Sequence, residues 1–303
     1  MKKHAYLIMA HNQKNLLCKL VEELDDYRND LFIHIDKKFI INNDELKIHV
    51  SKSNIYFVDR ISVNWGGGTL IRATLKLLEN STSKYRYQYY HLLSGQDFPL
   101  KSQDEIHRFF DIHDGLEFIS CKPISEADLD RVKFYYYFQD LFGGRSIFNK
   151  VFRKVSVALQ HTLGIDRTKY NNYQYYGIGS QWFSITDKMA RYIVRNKISI
   201  TKDFANCFCA DEIFLQTVWL NSPFYDENIR YHSNISQDVY IQEIYHDVLR
   251  AIDWYRGNPY TYDERDYEML MKSTCLFARK MSEDRSMKLI HMIESKKQTG
   301  QKS

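Results

Sequence analysis

The chain has little proline. Four residues in 303, no Gly/Ser-rich stretch and no internal repeat leave no linker between domains and exclude solenoid and collagen-like architectures. No apolar run approaches the roughly 20 residues of a membrane span. The opening run Ala5 to Ala10 ends in His11-Asn12 and is too short for the h-region of a signal peptide. Net charge is only +4, too mild to imply a nucleic-acid partner. Five cysteines form an odd set, with only Cys207 and Cys209 close together. Lacking a second pair for a zinc site, they are expected to be small buried hydrophobes in a reducing compartment. Two nucleotide fingerprints are also missing. No Gly-x-Gly-x-x-Gly follows the first apolar run, which disfavours a nucleotide-dependent oxidoreductase. The glycines of Asn64-Trp65-Gly66-Gly67-Gly68-Thr69 lack the Lys-Ser/Thr of a P-loop, so that loop is expected to allow close backbone approach ahead of a helix.

What is present is a chain 44% hydrophobic, enough for a sizeable core. Apolar runs at Ala5 to Ala10, Leu31 to Ile35, Ile55 to Val58 and Tyr89 to Leu93 read as strands. Between them lie helical stripes (Leu16, Leu17, Leu20, Val21, Leu24; then Leu70, Ile71, Thr74, Leu77). This alternation predicts an α/β fold with a mixed, mainly parallel central sheet flanked by helices. Strands at Glu117 to Ser120, Gln181 to Thr186 and Cys275 to Ala278 should follow. Helices are expected over Asp187 to Val194, Asp211 to Leu220 and from Glu283, with a frayed tail from Lys296. From Asp128 to Tyr176 the chain is crowded with tyrosine, glycine and arginine, more like a binding-face insertion than a sheet layer.

Polar residues that end strands are the candidate site. His91-Leu92-Leu93-Ser94-Gly95-Gln96-Asp97-Phe98-Pro99 carries a strand into a carboxylate and a hard stop, and Ser102 restarts a helix; ligands bind at that edge of α/β sheets. Asp36 ends the second strand in the same way. Asp128-Leu129-Asp130 has the pattern of a metal-holding carboxylate pair, but no strand leads into it and a helix turn is expected. Asp211-Glu212 opens an amphipathic stretch. Asp211 reads as an N-cap, and Glu212 at a helix start would stay ionised as a general base requires. Arg256 and the pair Arg279-Lys280 could supply positive charge to a departing diphosphate. From Arg145 to Leu159, apolar residues Phe148, Val151, Phe152, Val155 and Leu159 recur at helical spacing among Arg145, Lys150, Arg153 and Lys154. One reading packs that stripe on the core; the other lays an interfacial helix on anionic lipid.

In order, and over nearly the whole chain, these pieces resemble the Core-2/I-branching N-acetylglucosaminyltransferase and peptide xylosyltransferase family. Ser94-Gly95-Gln96-Asp97-Phe98-Pro99-Leu100-Lys101 is similar to its Ser-Gly-x-Asp-Phe-Pro signature. Gly179-Ser180-Gln181-Trp182-Phe183 resembles its acceptor strand, and Leu276-Phe277-Ala278-Arg279-Lys280 its diphosphate-binding element. The resemblance implies a GT-A fold and inverting transfer from a UDP-sugar, UDP-N-acetylglucosamine before UDP-xylose, without metal or other cofactor. It implies donor contacts at His11, Asp36, Arg256 and Lys280, a catalytic base at Glu212, and an acceptor face at Asp97, Ser180, Gln181 and Trp182. One catalytic domain over 1–303 is expected. Residues 1–100 would form a nucleotide half, 101–250 an acceptor half with the 128–176 insertion, and 251–303 a diphosphate-binding segment. Partners would be the UDP-sugar and a glycan acceptor, lipid-linked if the role is surface-polysaccharide synthesis. The location would be cytoplasmic, with 145–159 as peripheral contact to the inner membrane face. A catalytically inactive binding protein on the same fold is the alternative. The cysteine framework of the animal enzymes has no counterpart here, and the 128–176 insertion maps onto nothing in the family.

Overall fold

A computed structural model describes residues 2–137, 139–142, 147–225 and 248–300. The first half alternates β1 (His4–Ala10), α1 (Lys14–Glu23), β2 (Asn29–Ile35), α2 (Asn43–Lys47), β3 (Asn54–Phe57), α3 (Thr69–Lys84) and β4 (Tyr89–Ser94). Then come β5 (Phe98–Pro99), α4 (Gln103–Ile112), β6 (Phe118–Ile119), β7 (Lys122–Pro123), α5 (Glu126–Lys133), α6 (Gln139–Phe142) and α7 (Ile147–Thr162). The remainder is β8 (Gly177–Ile178), β9 (Phe183–Thr186), α8 (Asp187–Arg195), α9 (Lys197–Asp203), α10 (Phe214–Leu220), β10 (Arg250–Ile252), α11 (Tyr267–Lys272), β11 (Phe277–Arg279) and α12 (Glu283–Gly300).

The main sheet runs β3-β2-β1-β4-β9-β6. Its first four strands are parallel, and β9 lies antiparallel to both β4 and β6. Both faces of β1 are buried because its alternate residues serve two apolar layers. Ala5, Leu7 and Met9 pack in the layer of α3, α8 and α10; Tyr6, Ile8 and Ala10 pack with α1 and α4. The chain leaves β1 to one side for β2 and to the other for β4, so the C-terminal ends of β1, β2 and β4 form the switch point at which α/β sheets bind ligands. A small sheet, β10-β11-β5, closes over that edge. Pro99 ends β4's extension by joining it to β11 in antiparallel register. Ser102 then caps α4 in a reciprocal capping box with Glu105, as its position predicts.

Two expectations need correction. The stretch expected as one helix from Asp211 is a 3₁₀ turn, Ala210–Glu212, separated from α10 by Ile213. The residue preceding that turn is Cys209 at φ 47°, and Asp211 is not a cap. The tail is not frayed at Lys297, whose Nζ donates to Glu23 (2.6 Å) and to the Pro99 carbonyl (2.9 Å); residues 301–303 lie outside the described residues. As expected of something other than a sheet layer, the described part of the 128–176 insertion consists of helices and loops, with no strand between α5 and β8; Arg145 and Ser146 lie outside the described residues.

Under the sheet sits a buried histidine relay. His4 Nδ1 meets His91 Nε2 at 3.1 Å, His91 Nδ1 meets the Ser184 hydroxyl at 2.8 Å, and His107 stacks on His4 at 4.0 Å between centroids. Burial holds His4 and His91 well below the ordinary imidazole value and pushes His107 down to about 4. Their folded values are lowered, so the stability they contribute is full above an unfolded pKa near 6.5 and is lost as pH falls below it. The thermal midpoint should therefore drop between about pH 6.5 and 4.5, and less so in a His107→Gln variant. A midpoint flat across that range would show that the relay does not couple protons to folding.

Candidate active site

Three polar residues follow the C-terminal ends of the parallel strands. His11 follows β1, Asp36 follows β2 and Asp97 follows β4. Asp36 is buried; its Oδ1 accepts from the Lys38 amide at 2.8 Å and its Oδ2 from the Val63 amide at 3.1 Å, which fixes the loop after β3. The His11 imidazole is pushed below its usual value by desolvation, with Asp36 opposing and the cations Lys280, Arg279 and Lys38 reinforcing the shift. The charges of Asp36, Lys280 and Arg279 thus all act on His11.

The small sheet supplies the positive charge. Asp97 has no exposure to solvent. One of its oxygens accepts from Arg279 at 2.7 Å; the other accepts from the Ser94 amide at 3.0 Å and lies 3.6 Å from Arg250 Nε. Arg250 is fully buried and donates to the Val248 and Leu92 carbonyls; burial pulls it down to about 10 against the pull of Asp97. Asp97 is therefore an enclosed anchor of two arginines, not a group exposed on an acceptor face as expected. Arg279 also lies over the Trp182 ring, 4.4 Å from its centroid, with Arg250 5.9 Å away. Arg256 is placed differently. Its guanidinium is taken up by Asp253 at 2.6 Å and Asp266 at 2.7 Å, above Tyr260. Arg279 and Lys280 are among the cations whose charge acts on His11.

Trp182 connects this cluster to the acidic pair. The loop before it has glycine at 179 because a Cβ there would lie 1.9 Å from the Ser120 carbonyl oxygen. That close approach lets the Gly179 amide donate to the Glu212 carbonyl at 2.9 Å. Gln216, fully buried on α10, donates to the carbonyls of Ser120 and Ser180 and locks the same loop. The Ser180 hydroxyl accepts from the Trp182 amide at 3.2 Å, and Gln181 lies partly exposed between them.

The Glu212 side chain is 48% exposed, and its Oε2 accepts from Arg131 at 2.6 Å. Arg131 is fixed in turn by the Phe208 and Cys209 carbonyls. Its other partner is Asp128, so the Asp-x-Asp pattern lies on α5 as a helix turn, with Asp128 also bonded to the Ser125 hydroxyl. Asp211 is buried, and its Oδ1 has no hydrogen-bond partner. Burial and the neighbouring Glu212 charge push it up to about 7, so it holds a proton for part of the time near neutrality. The loop at 64–69 supports this corner. Gly66 (φ 74°) accepts through its carbonyl from the Cys209 amide, and Trp65 packs edge-on against Phe208. The N-terminus of α3 holds the chain's own carboxylate, since Asp140 Oδ1 accepts from the Thr69 hydroxyl at 3.2 Å.

Sequence reasoning missed Arg131 and Arg250 as parts of this site. Arg131 carried a weak signal, three residues after Asp128 on the same helix. Arg250 carried none.

The family model of the Core-2/I-branching enzyme matches residues 4–272. The chain belongs to this family. Its members are glycosyltransferases, and the mixed α/β sheet observed is the GT-A architecture expected of them. Beta-1,3-galactosyl-O-glycosyl-glycoprotein beta-1,6-N-acetylglucosaminyltransferase 4 of Danio rerio is 25% identical over 206 residues, 66% of this chain. The chain spans 45% of that relative's length. Two solved structures of S. aureus TarS 1–349, the second in complex with UDP, are 11% and 12% identical. Each covers 82% of this chain and 79% of its own, with a TM-score of 0.27, which carries no argument.

Proposed function

We propose that the protein transfers a sugar, N-acetylglucosamine first, from a UDP donor to a glycan hydroxyl with inversion. The observation that carries this reading is the pairing of two chemistries across the Trp182 loop. On one side the charges of Lys280, Arg279 and Asp36 act on His11; on the other, Arg131 orients the half-exposed carboxylate of Glu212. In the step proposed, Glu212 takes the acceptor hydroxyl proton and the acceptor oxygen bonds to the anomeric carbon. The bond from that carbon to the diphosphate oxygen breaks, and UDP leaves with the electron pair. Lys280 and Arg279 stabilise its growing charge. His11 and Asp36 hold the nucleoside.

The reading includes independence of metal. Its support is that Lys280 and Arg279 bring positive charge to the surroundings of His11, while the Asp128 carboxylate is bonded to Ser125 and Arg131. Transfer from UDP-N-acetylglucosamine should survive excess EDTA, and Lys280→Ala should weaken both UDP binding and turnover. Loss of activity in EDTA with recovery in manganese would remove the role given to Lys280. Titrating UDP-N-acetylglucosamine, UDP-xylose and NAD in parallel identifies the donor; binding without turnover would instead favour an inactive carbohydrate-binding protein. The acceptor in this reading is a lipid-linked glycan precursor on the cytoplasmic membrane face. No helix among the described residues is long and apolar enough to cross a membrane.

A further inference from the structure

Helix α1 begins without a cap of its own. Gln13, the residue before it, sits in the left-handed region at φ 61°, and its side chain makes no bond to the first turn. The leading amides of a helix have no intrahelical partners and must find others. Here they find them 268 residues away. Glu283 Oε1 accepts from the Asn15 amide at 2.6 Å and from the Leu16 amide at 3.4 Å, while Oε2 accepts from the Asn15 side chain at 3.3 Å. The exchange is reciprocal. Gln13 Oε1 accepts from the Glu283 amide at 2.7 Å, at the start of α12. A capping box does this within one helical turn; this one joins the two ends of the chain.

The segments it joins are those that bear the donor-site residues. His11 lies two residues before Gln13 and Lys280 three before Glu283, and the charge of Lys280 acts on His11. The backbone around Lys280 is pinned on two further sides. The Met281 amide donates to the Gln96 carbonyl at 2.9 Å, in the turn after β4. The Lys280 amide donates to the Tyr260 carbonyl at 3.3 Å, and the Lys280 carbonyl accepts from the Tyr262 amide at 3.0 Å. Glu283 also decides what the N-terminus of α1 can do. A free helix start after the first strand of an α/β sheet suits a phosphate. With Glu283 on its amides α1 has none to offer, and the positive charge for a diphosphate is left to Lys280 and Arg279.

We propose that Glu283 is a positioning residue for the donor: with Gln13 it fixes the loop that bears His11 against the segment that bears Lys280, and so sets how well one UDP molecule engages both. This deepens the donor-site reading and rests on it. Uridine and diphosphate are one molecule, held in that reading by the two ends of the chain. The gain from binding both parts at once is greatest when the two subsites already stand at the ligand's own separation, and it is spent on ordering them when they do not. A carboxylate that served only to cap α1 would stabilise the fold and leave this gain untouched.

The experiment titrates uridine and UDP into the full chain and reads the ratio of the two affinities, with a thermal midpoint on each preparation. Glu283→Ala should lower the advantage of UDP over uridine by about ten-fold, the low end for a bond to a charged group, while uridine itself binds within a factor of about two of wild type. Gln13→Ala removes only the reciprocal acceptor and should lower the ratio by about three-fold; it keeps the question answerable if the first variant does not fold. Glu283→Gln, which retains an oxygen for the Asn15 amide, should recover most of the ratio. Lys19→Ala is the control. It breaks the pair with Glu294, at 3.2 Å, that holds α1 to α12 farther along, and should leave the ratio at the wild-type value. In a Lys280→Ala background the effect of Glu283→Ala on UDP should vanish, because the clamp acts through Lys280. Wild-type ratios in both Glu283→Ala and Gln13→Ala overturn the proposal whatever the midpoints do, and leave Glu283 as a cap. So does a Glu283→Ala effect that persists undiminished without Lys280. A wild-type protein that binds neither ligand removes the donor-site reading and the proposal with it, a failure distinct from the other two.

Discussion

Glu212→Gln should lower turnover by about 10² to 10⁴, the usual contribution of a positioned general base, while UDP affinity stays within a factor of about two. The amide keeps the shape of the side chain and can still accept through its oxygen from Arg131, so the corner formed by Arg131, Phe208 and Cys209 should remain in place. What it removes is the capacity to take a proton from the acceptor hydroxyl. An interaction made only as the transition state forms is read as equal losses in kcat and kcat/KM. Arg131→Ala provides the contrast. It leaves the carboxylate but frees it from its one strong orienting partner, so it should lower kcat less and alter acceptor KM as well. Near-normal turnover in Glu212→Gln would place the base elsewhere, and Asp211, buried beside it and pushed up to about 7, would be the carboxyl to replace next. Asp97 is not a substitute, since it is closed off from solvent between two guanidinium groups.

The parts of the fold legible in the sequence are those where burial on both faces leaves no choice of residue. β1, β2 and β4 read as continuous apolar runs because a parallel strand covered on both sides needs them, and the polar residues that end them fall at one edge for the same reason. Ser102 announced its helix through capping chemistry, which acts locally. The expectations that failed depended on tertiary context. Asp211-Glu212 has the composition of a helix start, yet Ile213 takes φ −124° and breaks the helix there, so Glu212 is oriented by Arg131 from another element instead of by a helix dipole. Asp97 looked like a group presented to ligand; the arginines that surround it come from positions 250 and 279, and spacing of more than 150 residues carries no pattern. The glycine-rich loop at 66–68 leads into a helix N-terminus as expected, but Asp140, far along the chain, occupies it. Helix α7 is the plainest case. Its periodicity was visible, but which face meets the core is decided by Gln160 and Arg153 finding partners at Tyr135 and Phe208, and hydrophobic periodicity favours the opposite answer.

Asp97→Asn should cost the folded state about 3 to 5 kcal/mol, the range found when one member of a buried ion pair is removed, and should weaken UDP binding along with it. The pair need not be strongly stabilising as it stands, because three charged groups gave up water to form it. The cost arises because the substitution leaves Arg250, with no solvent exposure, and Arg279, nearly enclosed, without the charge that offsets their desolvation. Asparagine can keep one bond, accepting from the Ser94 amide as Asp97 Oδ2 now does, so the turn after β4 is not the part that fails. The small sheet is. Arg250 opens β10 and Arg279 ends β11, and both lean on Trp182, so loosening them shifts Lys280, the next residue, whose charge acts on His11. Urea unfolding and a UDP titration on the same preparation check both halves. Asp128→Asn serves as the control, since its ion pair with Arg131 is partly exposed and long at 3.5 Å, worth at most about 1 kcal/mol. An Asp97→Asn protein with wild-type stability would mean that Arg250 and Arg279 find other partners. One that is destabilised yet binds UDP at the wild-type affinity would separate the small sheet from the donor site and return the diphosphate role to Arg256.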